Sequence, residues 1–274
     1  MCRLVGWVSR TPTTLVDVLG ESGLAELTAL SHQHQDGWGL AWWQDGRLRS
    51  RISHLPAHAC DDYATAARKV RSDAGLLHLR WATPGLAVSP ENTHPFLTGD
   101  WAFGHNGAVR PADGLLALLD GPPADLRGDT DSERLLHVLL ARVQAFGLDE
   151  GLRRTVSDVS HALTPSSLNS LLLGREDLTA LCSHAAADGG EPVVQGPPED
   201  QPGYFDLRWR RRDGAVVVAS QPLGDGPWQQ LANGTALVLR RGDAAARTVP
   251  VGLFPQHAVE RERARRSAAS FGAP

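Results

Sequence analysis

In MCRLVGWVS a cysteine directly follows the initiator methionine. A second residue as small as cysteine permits excision of Met1. The Cys2 thiol would then lie beside its own α-amino group, whose reference pKa is about 7.7–8.0. Nucleophile and general base would come from one residue. The competing reading is a small buried hydrophobe in a first strand, where free cysteines commonly sit. A thiol that attacks a carbonyl also needs donors for the developing oxyanion. FGHNG (103 to 107) offers the Asn106 side-chain amide and the Gly107 N–H, with an ordinary Asn-Gly turn as the alternative. HLRWATPG (78 to 85) puts His78 and Arg80 on one face of a strand, and an arginine fork suits a carboxylate. GDTDSE (128 to 133) brings Asp129, Asp131 and Glu133 to a helix start, where capping competes with ligand binding. Arg80 and one aspartate would together hold the carboxylate and ammonium of an α-amino acid.

Those residues need elements to position them. CRLVGWVS reads as a buried strand, and TTLVDVL and GLAELTAL as helical segments. GLAWWQDGRLRSRIS reads as a hairpin turning at Asp45-Gly46, and DDYATAARKVR as a helix capped by Asp61 or Asp62. GLLHLRWAT is expected to be a strand, PGLAVSPENTHPFLTGD a long loop, and WAFGHNGAV a strand and turn. GLLALL and SERLLHVLLARVQAF read as helices, the second capped by Asp129, Thr130 or Asp131, and a further helix is expected from Gly151 to Leu163. LNSLLLG, LTALCSH, YFDLRWRR, AVVVASQP, TALVLRR and RTVPVGL read as short strands. The Pro- and Gly-rich AAADGGEPVVQGPPEDQPG reads as a flexible loop. VERERARRSAASFGAP reads as a charged tail, a solvated helix end or disordered, rather than a binding site. DGWG (36 to 39) marks a turn that either walls a pocket with Trp38 or buries it in the core. No βαβ alternation or phosphate loop is visible, which favours a layered α+β fold.

Composition bounds the rest. The chain has 274 residues, 42% of them hydrophobic, enough for one large core. The net charge of −4 argues against a nucleic-acid partner. Lys69 is the sole lysine, which reads as a compositional bias. Cys2, Cys60 and Cys182 form neither a disulfide framework nor a C-x-x-C pair. No signal peptide or membrane span is visible, so a cytoplasmic protein is expected. The many histidines lack the helical spacing of a metal motif, so no metal is expected.

Cys2, DGWG, HLRWATPG, NTHPF (92 to 96), FGHNG and GDTDSE, in this order, resemble the class II glutamine amidotransferases, which are Ntn hydrolases. QPLGDGPWQQLANGTALVLRRG (221 to 242) is similar to the stand-alone members. Two groups are nearest: stand-alone amidotransferases of unassigned role, and the γ-glutamyl amidohydrolase of ergothioneine biosynthesis. NTHPF is nearer the first, since the second tends to have alanine in place of His94. The resemblance implies a four-layer αββα sandwich over 2–255, followed by the tail at 256–274, and no cofactor. It implies Cys2 as nucleophile, Asn106 and Gly107 as oxyanion hole, Arg80 on the substrate α-carboxylate and Asp131 on its ammonium. Trp81, Thr83 and His105 are implied to line the substrate pocket. Glucosamine-6-phosphate-synthase-like members have histidine after the Thr of R-W-A-T, and here Pro84 stands there, so the loop over the substrate is expected to differ.

The implied reaction hydrolyses the γ-glutamyl amide of glutamine, or of a larger conjugate, through a γ-glutamyl thioester. No sugar-isomerase, phosphoribosyl or ATP-binding domain is visible after GDTDSE, so either released ammonia passes to a separate synthase subunit or the protein is a simple hydrolase of glutamine or a larger γ-glutamyl conjugate. A non-catalytic binder of glutamine or a γ-glutamyl metabolite is the reading from another class. A histidine-rich metal protein is a third.

Overall fold

A computed structural model describes residues 2–82, 85–185 and 203–271. The first half runs β1 (Arg3–Thr13), α1 (Leu15–Leu30), β2 (Trp38–Gln44), β3 (Arg47–Ser53), α2 (Asp61–Lys69), β4 (Ser72–Leu79), β5 (Phe96–Thr98), β6 (Trp101–Asn106) and β7 (Val109–Arg110). Then come α3 (Asp131–Phe146), α4 (Leu148–Ala162), β8 (Thr164–Pro165), β9 (Asn169–Leu173) and β10 (Asp177–Cys182). The last part holds β11 (Leu207–Arg212), β12 (Ala215–Ala219), β13 (Gln229–Leu231), β14 (Thr235–Arg240), β15 (Ala246–Pro250) and α5 (Gln256–Phe271).

Two antiparallel sheets stack face to face. One has the order β13-β11-β12-β1-β4-β2-β3, the other β15-β14-β10-β9-β6-β5. Three apolar layers hold the stack together. Leu4, Val8, Leu76, Leu171, Leu178 and Val218 fill the space between the sheets. Val5, Trp7, Leu19, Leu27, Trp38 and Leu77 pack the first sheet under α1 and α2. Phe103, Leu135, Leu139, Val156 and Leu172 pack the second sheet under α3 and α4. The expected αββα sandwich is therefore the observed architecture. A strand buried on both faces reads as a continuous apolar run, and this is why CRLVGWVS and LNSLLLG are legible as strands.

Local signals behave as the residues dictate, with four exceptions, the first being that the expected loop PGLAVSPENTHPFLTGD contains the short strand β5, which pairs with β6. The Asp45-Gly46 turn has both residues at positive φ (51° and 71°), the geometry that closes a two-residue hairpin. Thr14 and Asp17 form a reciprocal capping box at the start of α1, and Thr130 caps α3. Helix α2 starts at Cys60 without a side-chain cap, so Asp61 and Asp62 occupy its first turn instead of capping it. GLLALL forms a 3-10 helix inside Ala112–Leu118 rather than an α-helix. The charged tail is the largest difference. It is helix α5, with Ala258 buried in the apolar layer and Glu262 almost wholly buried. Arg261 donates to the Ser160, His161 and Leu163 carbonyls at the end of α4, which ties the two helices together. The proposed flexible loop falls mostly on 186–202, outside the described residues.

Candidate active site

Cys2 lies at the head of β1, the strand flanked by β4 and β12 at the centre of its sheet. Its Sγ accepts the Trp81 N–H at 3.2 Å and lies 3.4 Å from the Trp81 carbonyl oxygen, to which the thiol donates. Burial pushes the thiol pKa up, while the Trp81 N–H and the Arg80 and Arg3 guanidiniums pull against that. The Cys2 carbonyl oxygen accepts from Asn106 Nδ2 at 2.8 Å and from Arg3 Nη1 at 3.4 Å. Asn106 ends β6 and is buried, with its Oδ1 lacking a hydrogen-bond partner. One amide hydrogen is thus spent on the Cys2 carbonyl and a second remains. Gly107 follows, and a Cβ there would overlap the Ser167 carbonyl, so only glycine fits this turn.

Arg80 comes immediately after β4. Its backbone is fixed on both sides by DGWG: the Arg80 N–H donates to the Gly37 carbonyl and the Asp36 N–H to the Arg80 carbonyl. Asp36 Oδ2 accepts the Ala82 N–H at 2.7 Å, so one aspartate holds the whole Arg80-Trp81-Ala82 segment under the thiol. The Arg80 guanidinium is buried at 3% exposure. Its Nη2 donates to the Ala87 carbonyl at 3.0 Å, and its Nη1 has no partner. Burial lowers its pKa, opposed by Cys2 and Asp36. A buried fork with one open end is a carboxylate site in waiting.

Asp131 is the first residue of α3 and faces the same cavity. Its Oδ2 accepts the Val109 N–H at 2.6 Å and its Oδ1 is 3.5 Å from Ser132 Oγ. His105 is held at both nitrogens. Nε2–H donates to the Ser167 carbonyl at 3.0 Å, which leaves Nδ1 to accept from Ser132 Oγ at 2.9 Å. Burial lowers the His105 pKa, against the opposing pull of Asp131. With both nitrogens engaged, His105 supports the wall instead of offering a group to a ligand. Behind it, His94 stacks on His78 at 4.1 Å between ring centroids. Burial pushes His78 down to about 3 and His94 well below its ordinary value.

A cavity of about 370 Å³ joins Cys2, Arg80, Gly107 and Asp131. The residues expected to act together are thus brought to one place, with Asn106 just behind Cys2. Trp81 contributes its backbone to the thiol, while its ring is 48% exposed at the mouth and meets His34 edge-on. Thr83 and Pro84 lie outside the described residues. Trp38 does not wall the cavity; it is 1% exposed and packs edge-on against Tyr63 in the core. The use of DGWG is to brace Arg80 and to let another segment pass: a Cβ at Gly39 would overlap the His94 carbonyl. Among the described residues no group of His, Cys, Asp and Glu could hold a metal, and no helix is long and apolar enough to cross a membrane.

Sequence reasoning missed the far wall of the cavity: Arg110, Tyr204, Phe205, Glu262 and Arg265. Glu262 spaced three and four residues before Arg265 and Arg266 was a visible signal for a self-paired helix. Nothing in that spacing says where the helix docks.

Two stacked antiparallel sheets between helical layers, with a cysteine at the head of a central strand, place the chain in the class of αββα sandwich folds that solved glutamine amidotransferase structures share. Within that class, the model of the class II glutamine amidotransferases matches residues 1–263, and the chain belongs to this family of glutamine amidotransferase and amidohydrolase enzymes. The γ-glutamyl-hercynylcysteine sulfoxide hydrolase of Mycolicibacterium smegmatis is 28% identical over 236 residues, 80% of this chain and 99% of that protein. The isomerizing glutamine–fructose-6-phosphate aminotransferase of Vibrio cholerae is 27% identical over 197 residues, 72% of this chain and 30% of the longer protein. Among solved structures, a glutamine aminotransferase class-II domain protein from Silicibacter pomeroyi superposes with a TM-score of 0.61 at 21% identity, over 90% of this chain and 99% of that one.

Proposed function

We propose that the protein is an N-terminal-cysteine amidohydrolase that cleaves the γ-glutamyl amide bond of glutamine or a γ-glutamyl conjugate. The observation that supports this is the single cavity lined by the Cys2 thiol, the open Arg80 fork and the Asp131 carboxylate. Excision of Met1 turns the Cys2 nitrogen into a free amine. The buried, unpartnered Asn106 Oδ1 is an acceptor close by for its N–H. Arg80 takes the substrate α-carboxylate and Asp131 the α-ammonium, which orients the γ-carbonyl toward Sγ.

The amine takes the thiol proton as sulfur attacks the γ-carbonyl carbon. The oxyanion is held by the Gly107 N–H and the second Asn106 amide hydrogen. The amine then passes its proton to the leaving nitrogen, and the C–N bond breaks to give a γ-glutamyl thioester. Water, deprotonated by the same amine, attacks the thioester, the C–S bond breaks, and glutamate leaves. His105 positions Ser132 and the start of α3 rather than taking part in proton transfer.

The leaving amine can be ammonia or a larger group. The match to the M. smegmatis hydrolase over nearly its whole length supports a conjugate, while NTHPF, with His94, is nearer the stand-alone amidotransferases. If glutamine is the substrate, the ammonia either passes to a separate synthase subunit or is simply released, as in a glutaminase. The test combines intact mass with glutamate release from glutamine and a series of γ-glutamyl amides. Met-processed protein is expected to release glutamate, and Cys2→Ala to fall to background with an unchanged circular dichroism spectrum. Full activity with Met1 retained would defeat the amine as base. Ligand binding without release in the processed protein would make this a binding module.

A further inference from the structure

The two residues assigned to the amino-acid head come from different parts of the fold. Arg80 follows β4, and Asp131 opens α3. A carboxylate and an ammonium on one carbon are read correctly only by holders at a fixed separation, within about 0.5 Å. One buried side chain connects the two holders. Asn92 ends the 3-10 turn Pro90–Asn92 and borders the cavity. Its Nδ2 donates to the Ala87 carbonyl at 3.3 Å, and its Oδ1 accepts the Asp129 N–H at 2.9 Å.

The partners fix the orientation of this amide. The Asp129 N–H can only donate and the Ala87 carbonyl can only accept, so oxygen faces the first and nitrogen the second. The Ala87 carbonyl also accepts from Arg80 Nη2 at 3.0 Å, so it joins the two side chains. Among the described residues the backbone of 85–88 makes no hydrogen bond to other backbone, and the polar ties of that carbonyl are Arg80 and Asn92. At the other end, Asp129 lies two residues before Asp131. Thr130 between them caps α3, and Glu133 accepts the Arg127 and Gly128 N–H groups, which stiffens the entry to the helix. The packing is fitted to Asn92: a Cβ at Gly128 would overlap Asn92 Oδ1 and the Glu91 carbonyl. A continuous chain of contacts thus runs from Arg80 through the Ala87 carbonyl and the Asn92 amide to the Asp129 N–H and α3. Both polar atoms of Asn92 are engaged by backbone, so its influence on a ligand passes through Arg80 and Asp131.

We propose that Asn92 is a positioning residue that sets the separation of Arg80 and Asp131, and with it the preference of the site for an L-configured head. The inference rests on the assignment of Arg80 and Asp131 to the γ-glutamyl head made above. With the side chain aimed at Sγ, a D head exchanges the places of carboxylate and ammonium. Holders fixed in place reject that exchange, and loosened holders tolerate it.

The test reads enantiomer preference, which a general loss of stability does not change. The full chain carrying Cys2→Ala is titrated by calorimetry with L-glutamine and with D-glutamine. L-Glutamine is expected to bind at least about tenfold more tightly. Adding Asn92→Ala is expected to bring the ratio below about threefold. Asn92→Asp keeps the Asp129 contact but sets an oxygen against the Ala87 carbonyl, and is expected to do the same. Thermal melting identifies a variant that fails to fold, and Asn92→Asp, which has the shape of the native side chain, then carries the test. Variants that weaken both enantiomers equally and keep the L preference would overturn the proposal. If the protein with Asn92 intact binds the two enantiomers alike, or binds neither, the assignment of Arg80 and Asp131 falls, and the positioning role with it.

Discussion

Burial opposes charge at several side chains of the cavity, and the outcome differs residue by residue. The Cys2 thiol is pushed toward its neutral form by burial, and only the Trp81 N–H and neighbouring guanidiniums counter this. Arg80 stays a cation because a guanidinium is too basic to lose its proton even when burial lowers its pKa; its Nη2 has the Ala87 carbonyl and its other terminal nitrogen is open. Arg80→Lys keeps the charge but loses the planar fork. It is expected to lower kcat/KM for γ-glutamyl substrates by roughly 10- to 100-fold, about 1.4–2.8 kcal/mol, mostly through KM, as steady-state kinetics would record. His78 and His94 lie on the other side of the balance. Both are buried neutral, with pKa values depressed by burial, His78 to about 3. The unfolded chain therefore binds more protons below pH 6.5. The stability that this neutrality contributes is complete above pH 6.5 and is lost as pH falls, for His78 toward about 3, at no more than about 1.4 kcal/mol per pH unit for one group. Urea midpoints measured from pH 7 to pH 4 should fall accordingly, and His78→Phe should flatten the slope. Among these residues, Cys2, Arg80 and Asp131 were legible as candidates because their chemistry is carried by residue type, and they line one cavity. The neutrality of the histidines was not, since it depends on a burial that no spacing announces.

At the scale of elements, the site is assembled by segments that touch no ligand. The 36-to-39 turn braces Arg80 through three hydrogen bonds made by Asp36 and Gly37. Helix α1 is kinked at Gly20 (φ 80°), and there Arg210 and Arg212 both donate to the Leu19 carbonyl that the break exposes. Helix α5 illustrates where sequence reading stops. Its composition is that of a solvated helix, with paired charges at three- and four-residue spacing. Its docking depends on Ala258 in the apolar layer, with Val259 packed beside it, and on Arg261 capping α4. A charge placed at that contact should release the helix. Ala258→Arg is expected to cost about 1–3 kcal/mol. Limited proteolysis should then cleave near Pro255 well before the rest of the chain.

For the whole molecule, the layered arrangement was readable because its period-two and continuous apolar runs belong to strands packed on one or both faces. The order of strands within each sheet was not. It is set by pairings between distant segments: β1 pairs with β4 on one side and β12 on the other, in the registers Leu4↔His78 and Val5↔Ala219. The far wall of the cavity was equally hidden, since α5 and the residues before β11 reach it only after the sheets have stacked.

That long-range pairing has a consequence for the order of events during synthesis. The Leu4 N–H, two residues from Cys2, donates to Ser220 Oγ, 216 residues further along the chain. While a ribosome is still making the protein, β1 has no β12 to lie against, and Cys2 belongs to an open, unfinished edge. The first residues stay accessible to a methionine-removing enzyme throughout that interval. The cavity around Cys2 is closed only once strands and helix from the far end have been made. Contacts this distant also form slowly. The topology thus sets an order: the segment that carries Cys2 is exposed first, and its surroundings are complete only in a finished molecule.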